Sequence, residues 1–397
     1  MKVLIYSHAF YPSVGGVETV SMTLAEGFIA NGIECKVVTH SLDDDEPSPP
    51  LSMWLSLSAS PSPEPSSSSF SPFGFEVVRQ PGRARVRELV RWADVVLFNG
   101  ASMRLQPWVL FARKPFVWVH VGYQVACIDG LGWVDNAPAP LTPMASVRFH
   151  ARRNGWPSAL REALKLGIRR AVARLAVDRH VAITQWMAKA LPLPRQVQIY
   201  NPFPIAQFAA ADTAQPEFDF FYMGRLVQEK GVDVLVRAFA ELLRRHGPGP
   251  RLLMIGDGTA RPAIEQLVAE LGVGDAIVFT GRQSGTALVE AVARGGIGII
   301  PSVWYEPMGG VAIELMAAGK CLIVSAQGGL AECVGDAGLS FPNGDHLALA
   351  DRMQSLLADP ARRAALSAVA RERAQTFLPE RFVAQYIALL QDVVARR

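Results

Sequence analysis

The stretch Pro301-Ser302-Val303-Trp304-Tyr305-Glu306-Pro307-Met308-Gly309-Gly310-Val311-Ala312-Ile313-Glu314 decides the fold of this chain. Pro307 suits a first helical turn, where its missing N–H is not required. We therefore predict a helix over 308–318 that ends at Gly319, with Glu306 in the preceding loop and Glu314 about two turns into the helix. A helix N-terminus can hold an anion, so this layout suits a ligand with hydroxyls at both ends and a diphosphate between them.

Strands and helices alternate on both sides of this stretch. The predicted strands of the C-terminal half are 219–223, 251–256, 276–280, 297–301 and 321–325, with a helix between each pair. The N-terminal half opens as a βαβ unit with strands 2–7 and 34–39 around a helix at 17–31. Such units imply parallel sheets that are covered by helices and that bind ligands at the carboxyl ends of their strands.

We predict an α/β chain of two doubly wound, Rossmann-like domains. The N-terminal domain is placed at 1–200, the C-terminal domain at 201–376, and an amphipathic helix at 377–397. A Ser/Pro-rich tract, about 43–75, reads as a surface loop because such a composition buries too little apolar surface to order itself. The run Asp43-Asp44-Asp45 at its edge is interpreted as solvated charge and not as a metal-binding DxD motif.

Composition excludes several classes of protein. The chain has 397 residues, of which 50 % are hydrophobic and 19 % charged, so large cores are possible. Its net charge of +3 is too small to indicate nucleic-acid binding. No apolar run approaches the 18 or so residues of a spanning helix, and the N-terminus does not read as a signal peptide. The four cysteines form no CxxC pair, which predicts free thiols in a cytoplasmic protein and no metal or redox site.

Four motifs occur in a consistent order along the chain. They are the loop Tyr11-Pro12-Ser13-Val14-Gly15-Gly16-Val17-Glu18, the segment Gly224-Arg225-Leu226-Val227-Gln228-Glu229-Lys230-Gly231-Val232-Asp233, the pair Glu306 and Glu314 at E-x7-E spacing, and Gly328-Gly329-Leu330-Ala331-Glu332. Together they resemble the retaining glycosyltransferases of family 4, whose fold, called GT-B, has two facing Rossmann-like domains and a C-terminal crossover helix. The resemblance covers most of 219–345 and the first 40 residues.

The resemblance implies a donor site for a UDP- or GDP-sugar, with no cofactor and no metal. Arg225 and Lys230 would stabilise the diphosphate leaving group, because transfer leaves new negative charge on it. Glu306 would contact the sugar hydroxyls and Glu314 the ribose hydroxyls. His120, at the end of a predicted strand, would lie beside the reacting centre, although a buried core histidine is the alternative. The residues taken as catalytic are His120, Glu306, Arg225 and Lys230.

Glycine-rich turns complete the predicted donor site. Gly15 and Gly16 follow the first strand, where glycine permits positive φ and close approach to a phosphate or sugar. The further donor-binding residues are Gly224, Gly256, Met308, Gly309 and Gly310. A dinucleotide fingerprint at Ile255-Gly256-Asp257-Gly258 is excluded, since Arg261 stands where that motif requires glycine.

The resemblance implies transfer of a hexosyl unit to a glycan or lipid-linked acceptor in cell-envelope or exopolysaccharide biosynthesis. The alternatives are a nucleotide-sugar epimerase and a non-catalytic subunit that binds sugar nucleotides. Residues 147–179 carry nine basic side chains, and Leu160, Leu164 and Ile168 recur at helical spacing. This pattern indicates either contact with an anionic inner-membrane surface or a packed helix with a solvated basic face.

Overall fold

The structure is a computed structural model that describes residues 1–11, 15–40, 73–100, 104–211 and 215–396. Asp43–Asp45 and all but the last three residues of the predicted Ser/Pro-rich loop lie outside this description. The chain forms two compact units. The first comprises 1–131, 140–203 and 379–397, and the second comprises 132–139 and 204–378. No helix in the described ranges is long and apolar enough to cross a membrane.

The secondary structure follows the predicted alternation. The strands are β1 (Lys2–Ser7), β2 (Glu34–Thr39), β3 (Glu76–Arg79), β4 (Val95–Asn99), β5 (Phe116–His120), β6 (Trp133–Val134), β7 (Ala137–Pro138), β8 (Arg179–Ala182), β9 (Gln196–Gln198), β10 (Phe218–Met223), β11 (Leu252–Ile255), β12 (Ile277–Gly281), β13 (Gly295–Ile300), β14 (Cys321–Ser325) and β15 (Gly338–Phe341). The helices are α1 (Gly16–Ala30), α2 (Arg83–Trp92), α3 (Gln106–Phe111), α4 (Pro143–Asn154), α5 (Trp156–Leu175), α6 (Gln185–Ala190), α7 (Val232–His246), α8 (Arg261–Glu270), α9 (Gly285–Ala293), α10 (Gly310–Ala317), α11 (Gly329–Val334), α12 (His346–Leu357), α13 (Pro360–Ala374) and α14 (Pro379–Ala395).

The first unit is built on a parallel sheet in the order β3-β2-β1-β4-β5-β8-β9. Its central strands are buried along their length, as expected for strands covered on both faces. The C-terminal helix α14 belongs to this unit. There Tyr386 donates a 3.3 Å hydrogen bond to Asn201, and Asp392 forms a 3.2 Å ion pair with Arg179.

The second unit has a parallel sheet in the order β12-β11-β10-β13-β14-β15. Chain order reverses between β10 and β13, which pair directly through Phe220 and Ile297. In doubly wound sheets this reversal opens a crevice at the carboxyl ends of the strands, where ligands bind. The loops that leave β10 and β13 therefore occupy the expected position of a ligand site.

The helix after β13 differs from its sequence prediction. It begins at Gly310 rather than at residue 308, and Gly309 is its N-cap. Pro307 accordingly lies in the loop and not in the first turn. Glu314 is the fifth helical residue, just over one turn from the start, and not two. The helix ends as predicted, with Gly319 in the left-handed region at φ 68°.

Candidate functional site

Two loops of the second unit meet at the carboxyl edge of its sheet. Lys230 closes a short 3₁₀ turn in the loop after β10, and Gly231 follows in the left-handed region at φ 64°. A Cβ atom at Gly231 would lie 2.1 Å from the carbonyl oxygen of Pro301, in the loop after β13. The Val303 amide donates a 3.1 Å hydrogen bond to the Glu229 carbonyl. Glycine at 231 is thus what lets the two loops approach.

This approach creates a buried charged pair. Lys230 Nζ lies 2.6 Å from Glu306 Oε1, and only 7 % of the Glu306 side chain is exposed. Ser302 donates a second hydrogen bond to the same Oε1. The ring of Trp304 lies 5.9 Å from the ammonium group and adds a weak cation–π contact. The charges of Lys230 and Glu306 therefore neutralise each other within the site.

Arg225 presents its charge differently. The hydroxyl of the buried Tyr222 donates a 2.7 Å hydrogen bond to the Arg225 carbonyl and so fixes the backbone of the loop. The Arg225 side chain is 66 % exposed, and its guanidinium lies 3.8 Å from the Glu229 carboxylate. A side chain held so loosely can turn toward an anionic ligand at little cost.

Gly256 brings the loop after β11 against the loop after β10. It has φ 138°, and a Cβ there would lie 1.8 Å from the carbonyl oxygen of Gly224. The Gly224 amide in turn donates a 3.0 Å hydrogen bond to the Ile255 carbonyl. The two predicted donor-binding glycines are therefore in direct backbone contact.

A third loop fixes the backbone of Glu306. Residues 306 and 328 form a parallel β-bridge, and the Gly329 amide donates a 2.6 Å hydrogen bond to the Glu306 carbonyl. Gly309 is buried, and a Cβ there would lie 2.6 Å from Leu330. Close packing against Leu330 thus favours glycine at position 309, whether or not this residue also contacts a ligand. Met308 is also buried beside it.

Glu314 lies within an otherwise apolar helix. Its neighbours Ile313 and Leu315 are fully buried. Burial raises the pKa of the Glu314 carboxyl from 4.5 to about 8. Near neutral pH the carboxyl is therefore mostly protonated, and a ligand that donates hydrogen bonds to it favours the ionised form.

His120 belongs to the first unit and is buried at the end of β5. Its Nε2 is 2.9 Å from His180 Nδ1, and the other ring nitrogen of His180 lies 2.7 Å from the Ala173 carbonyl. His120 also stacks on Trp118. Burial, and secondarily His180, holds the pKa of His120 well below its usual value. This geometry matches a hydrogen-bonded core histidine, and the catalytic role of His120 stays a prediction.

Gly15 and Gly16 do not have the backbone expected of them. Gly15 caps α1 in an extended conformation, with φ −173°, which any residue can adopt. A Cβ at Gly16 would meet only Phe203, at 4.0 Å. Gly16 is the first residue of α1 and has no positive φ either, so that prediction is wrong for both glycines. A role in binding phosphate or sugar stays a prediction for both.

A groove of about 470 Å³ lies in the second unit beside the Lys230 turn. It runs between α7 and α8 and includes Gln228, Asp233, Ile264 and, from the β6–β7 hairpin, Trp133. The residues that line it do not include Arg225, Lys230, Glu306 or Glu314. Within the described ranges, no group of three or more His, Cys, Asp or Glu side chains is placed to hold a metal ion.

Sequence reasoning missed two contributors to the site. Ser302 reaches Glu306 from four positions away, and Gly328 fixes the backbone of that residue. A Cβ at Gly328 would lie 2.8 Å from the Glu306 amide nitrogen. The signal for Gly328 was present in the motif Gly328-Gly329. Ser302 carried no comparable signal, because serine before a loop has many roles.

Two doubly wound parallel sheets with ligand loops at the β10–β13 reversal define the GT-B class of glycosyltransferase folds. The structure of Anabaena HepE in complex with UDP-glucose has this architecture. It superposes with a TM-score of 0.70 over 99 % of both chains, at 17 % identity. The GT-B fold expected from sequence is thereby confirmed.

The chain matches the family "Glycosyl transferases group 1" over residues 206–373. It is 36 % identical over 168 residues to the glycogen synthase of Mycobacterium tuberculosis (42 % of this chain, 40 % of that protein). It is 34 % identical over 230 residues to LpsD, a lipopolysaccharide core biosynthesis glycosyltransferase of Rhizobium meliloti (55 % and 64 %). The chain spans 28 to 40 % of the length of the first curated relatives.

Proposed function

We propose that this protein transfers a hexosyl unit from a UDP- or GDP-sugar to a hydroxyl of a glycan or lipid-linked acceptor, with retention of anomeric configuration and without a metal ion. The observation that carries the proposal is the contact of Lys230 with Glu306 at the β10–β13 reversal. One anion-binding cation and one hydroxyl-binding acid meet there in a single site. UDP-glucose in HepE supports a nucleotide-sugar donor.

The leaving group determines what the cations would do. Cleavage of the glycosidic bond places new negative charge on the β-phosphate, and preorganised cations stabilise that charge. Lys230 is anchored and partly buried, whereas Arg225 is exposed and free to swing. We assign to Lys230 a contact with the diphosphate that needs no movement of its side chain. We assign to Arg225 a contact that forms when its side chain turns toward the bound donor.

The acids would recognise the two ends of the donor. Glu306 accepts hydrogen bonds from Lys230 and Ser302 through Oε1, and we assign its second oxygen to the hydroxyls of the sugar. Glu314 is assigned to the ribose hydroxyls, whose donation would favour its ionised form. The proton released by the acceptor hydroxyl would pass to the leaving phosphate during attack on the same face of the sugar. We place the reaction in the cytoplasm, because the buried cysteines at 35, 321 and 333 are free thiols.

A donor panel tests the proposal. Thermal unfolding is measured with UDP- and GDP-sugars, and release of UDP or GDP is then followed with candidate acceptors; a bound donor raises the melting temperature by mass action. Lys230→Ala and Arg225→Ala should each lower turnover by about 10²-fold. Arg362→Ala, at an exposed cation of the same unit, should not. Activity should persist in EDTA.

Each alternative has its own outcome in this experiment. Loss of activity in EDTA with rescue by manganese would overturn the metal-free mechanism. Donor binding without turnover with any acceptor would favour the non-catalytic subunit. Conversion of the donor sugar to its epimer without release of nucleotide would favour the epimerase.

A further inference from the structure

The helix α5 carries an apolar face that the described residues of its unit leave largely exposed. Trp156, Leu160, Leu164 and Ile168 recur every four residues along it and are between 53 % and 66 % exposed. At 3.6 residues per turn these side chains form one continuous stripe, about 120° wide. Single exposed apolar residues are ordinary on a protein surface, whereas an ordered stripe of this size indicates an interaction site.

The helix is held in the protein by its opposite side. Ala159, Leu166 and Ala173, spaced seven apart, are the buried residues of α5. The stripe is therefore not the main packing face of the helix. A partner could therefore bury these four large side chains without breaking contacts within the protein.

Basic side chains border the stripe. Arg161 and Lys165 lie along one edge, with 71 % and 58 % of their side chains exposed, and both contact Glu162. Arg174 flanks the other edge, and the neighbouring helix α4 adds the exposed Arg152 and Arg153.

Two arginines of the same segment face inward instead. Arg169 and Arg170 donate hydrogen bonds to the Gln124 and Val125 carbonyls. These hydrogen bonds hold both guanidinium groups against the backbone at 124 and 125, so neither extends into solvent as Arg161 and Lys165 do, although both stay charged.

We propose that α5 docks flat on an anionic lipid bilayer, with Trp156, Leu160, Leu164 and Ile168 inserted among the headgroups and acyl chains and with Arg161, Lys165 and Arg174 on the lipid phosphates. An apolar stripe with a basic border is the pattern of helices that lie in the membrane interface. A tryptophan at one end is suited to that depth, and long basic side chains can reach up to the phosphates.

The charges argue against a second copy of this chain as the partner. Pairing two such stripes face to face would bring Arg161 and Lys165 of both copies together, with only Glu162 of each to offset them. Anionic lipid instead supplies the opposite charge along the whole length of the helix, about 30 Å for 20 residues. The proposal does not depend on the assignment of the donor site.

Co-sedimentation of the full chain with vesicles tests this. The protein should bind phosphatidylglycerol–phosphatidylcholine vesicles, bind pure phosphatidylcholine vesicles at least about tenfold more weakly, and be released by salt. The triple variant Leu160→Gln/Leu164→Gln/Ile168→Gln should lose at least about tenfold in partitioning. Arg161→Ser/Lys165→Ser should lose about tenfold. The matched control Arg83→Ser/Arg91→Ser, at exposed residues of α2, should bind as wild type.

Two further measurements keep the result clear. All variants should melt within a degree or so of wild type, since the changed side chains are exposed. Anionic vesicles should shift tryptophan emission to the blue, and Trp156→Phe should remove that shift. Equal binding to neutral and anionic vesicles, or no binding at low salt, would overturn the proposal. So would a dimer in sedimentation velocity that the triple Gln variant dissociates.

Discussion

Lys230 and Glu306 lie 76 positions apart in the chain and yet form a 2.6 Å ion pair at the meeting of two loops. Their side chains are only 20 % and 7 % exposed. The cation proposed for the diphosphate is thus held by the acid proposed for the sugar. A donor that binds here would replace part of the Lys230–Glu306 contact with contacts of its own. Until a donor binds, the ion pair keeps both side chains ordered.

Removing only Lys230 from the Lys230–Glu306 pair should destabilise the folded protein. Lys230→Met leaves the Glu306 charge buried and unpaired, which should lower the free energy of unfolding by about 3 kcal/mol. The double variant Lys230→Met/Glu306→Gln should recover much of that loss, because no isolated charge remains. Urea denaturation measures both. Arg244→Met, which breaks an exposed pair with Glu241, is the control and should leave stability unchanged. Additive losses in the double variant would contradict the coupling.

The two acids should act on different parts of the donor. Glu314→Ala should weaken binding of free UDP or GDP, whereas Glu306→Ala should leave it nearly unchanged and reduce turnover of the intact sugar donor. Isothermal titration with the nucleotide and steady-state kinetics with the donor separate the effects. Equal weakening of nucleotide binding by both substitutions would show that this division is wrong.

Glu314 should make stability depend on pH. Its pKa is raised from 4.5 to about 8 in the folded protein, so between these values the native state holds a proton that the unfolded chain has lost. Stability from this group is therefore full below about pH 4.5 and is lost as pH rises to about 8. In Glu314→Gln the melting temperature should depend less on pH across that range, and its increase over wild type should be largest near pH 8. Glu372→Gln, at an exposed acid, should leave the wild-type profile unchanged.

The sheets and the position of the site could be predicted from sequence because both depend on local pattern. The strands predicted at 219–223 and 297–301 have the length of covered parallel strands and overlap the observed strands, and their carboxyl ends must share an edge. Motif spacing then placed Lys230 and Glu306 in the loops at that edge. The start of the helix at 310 does not follow from local pattern: Pro307 is compatible with a first turn, but the bridge between residues 306 and 328 holds it in the loop.

Partners of side chains could not be predicted, because they depend on packing between segments distant in sequence. His120 could face a ligand or the core, and only the fold brings it to His180. Arg169 and Arg170 look like surface charges beside Arg161 until the carbonyls at 124 and 125 are placed against them. The hydrogen bond from Ser302 to Glu306 likewise depends on the path of the loop between them.

Gly231 should tolerate no side chain, and a second glycine with nearly the same backbone provides the comparison. Gly231 has φ 64° and Gly272 has φ 66°, but a Cβ would lie 2.1 Å from the Pro301 carbonyl oxygen at the first and would meet nothing within 4 Å at the second. Gly272→Ala therefore measures the strain of the left-handed backbone alone, about 1 kcal/mol.

Gly231→Ala adds the collision with Pro301 to that strain, so it should cost at least about 2 kcal/mol more in urea denaturation. Because the collision pushes apart the loops that carry Lys230 and Glu306, Gly231→Ala should also abolish thermal stabilisation by the donor, while Gly272→Ala should keep it. Equal destabilisation by the two alanines, with donor binding retained in both, would show that the loops can separate without loss of the site.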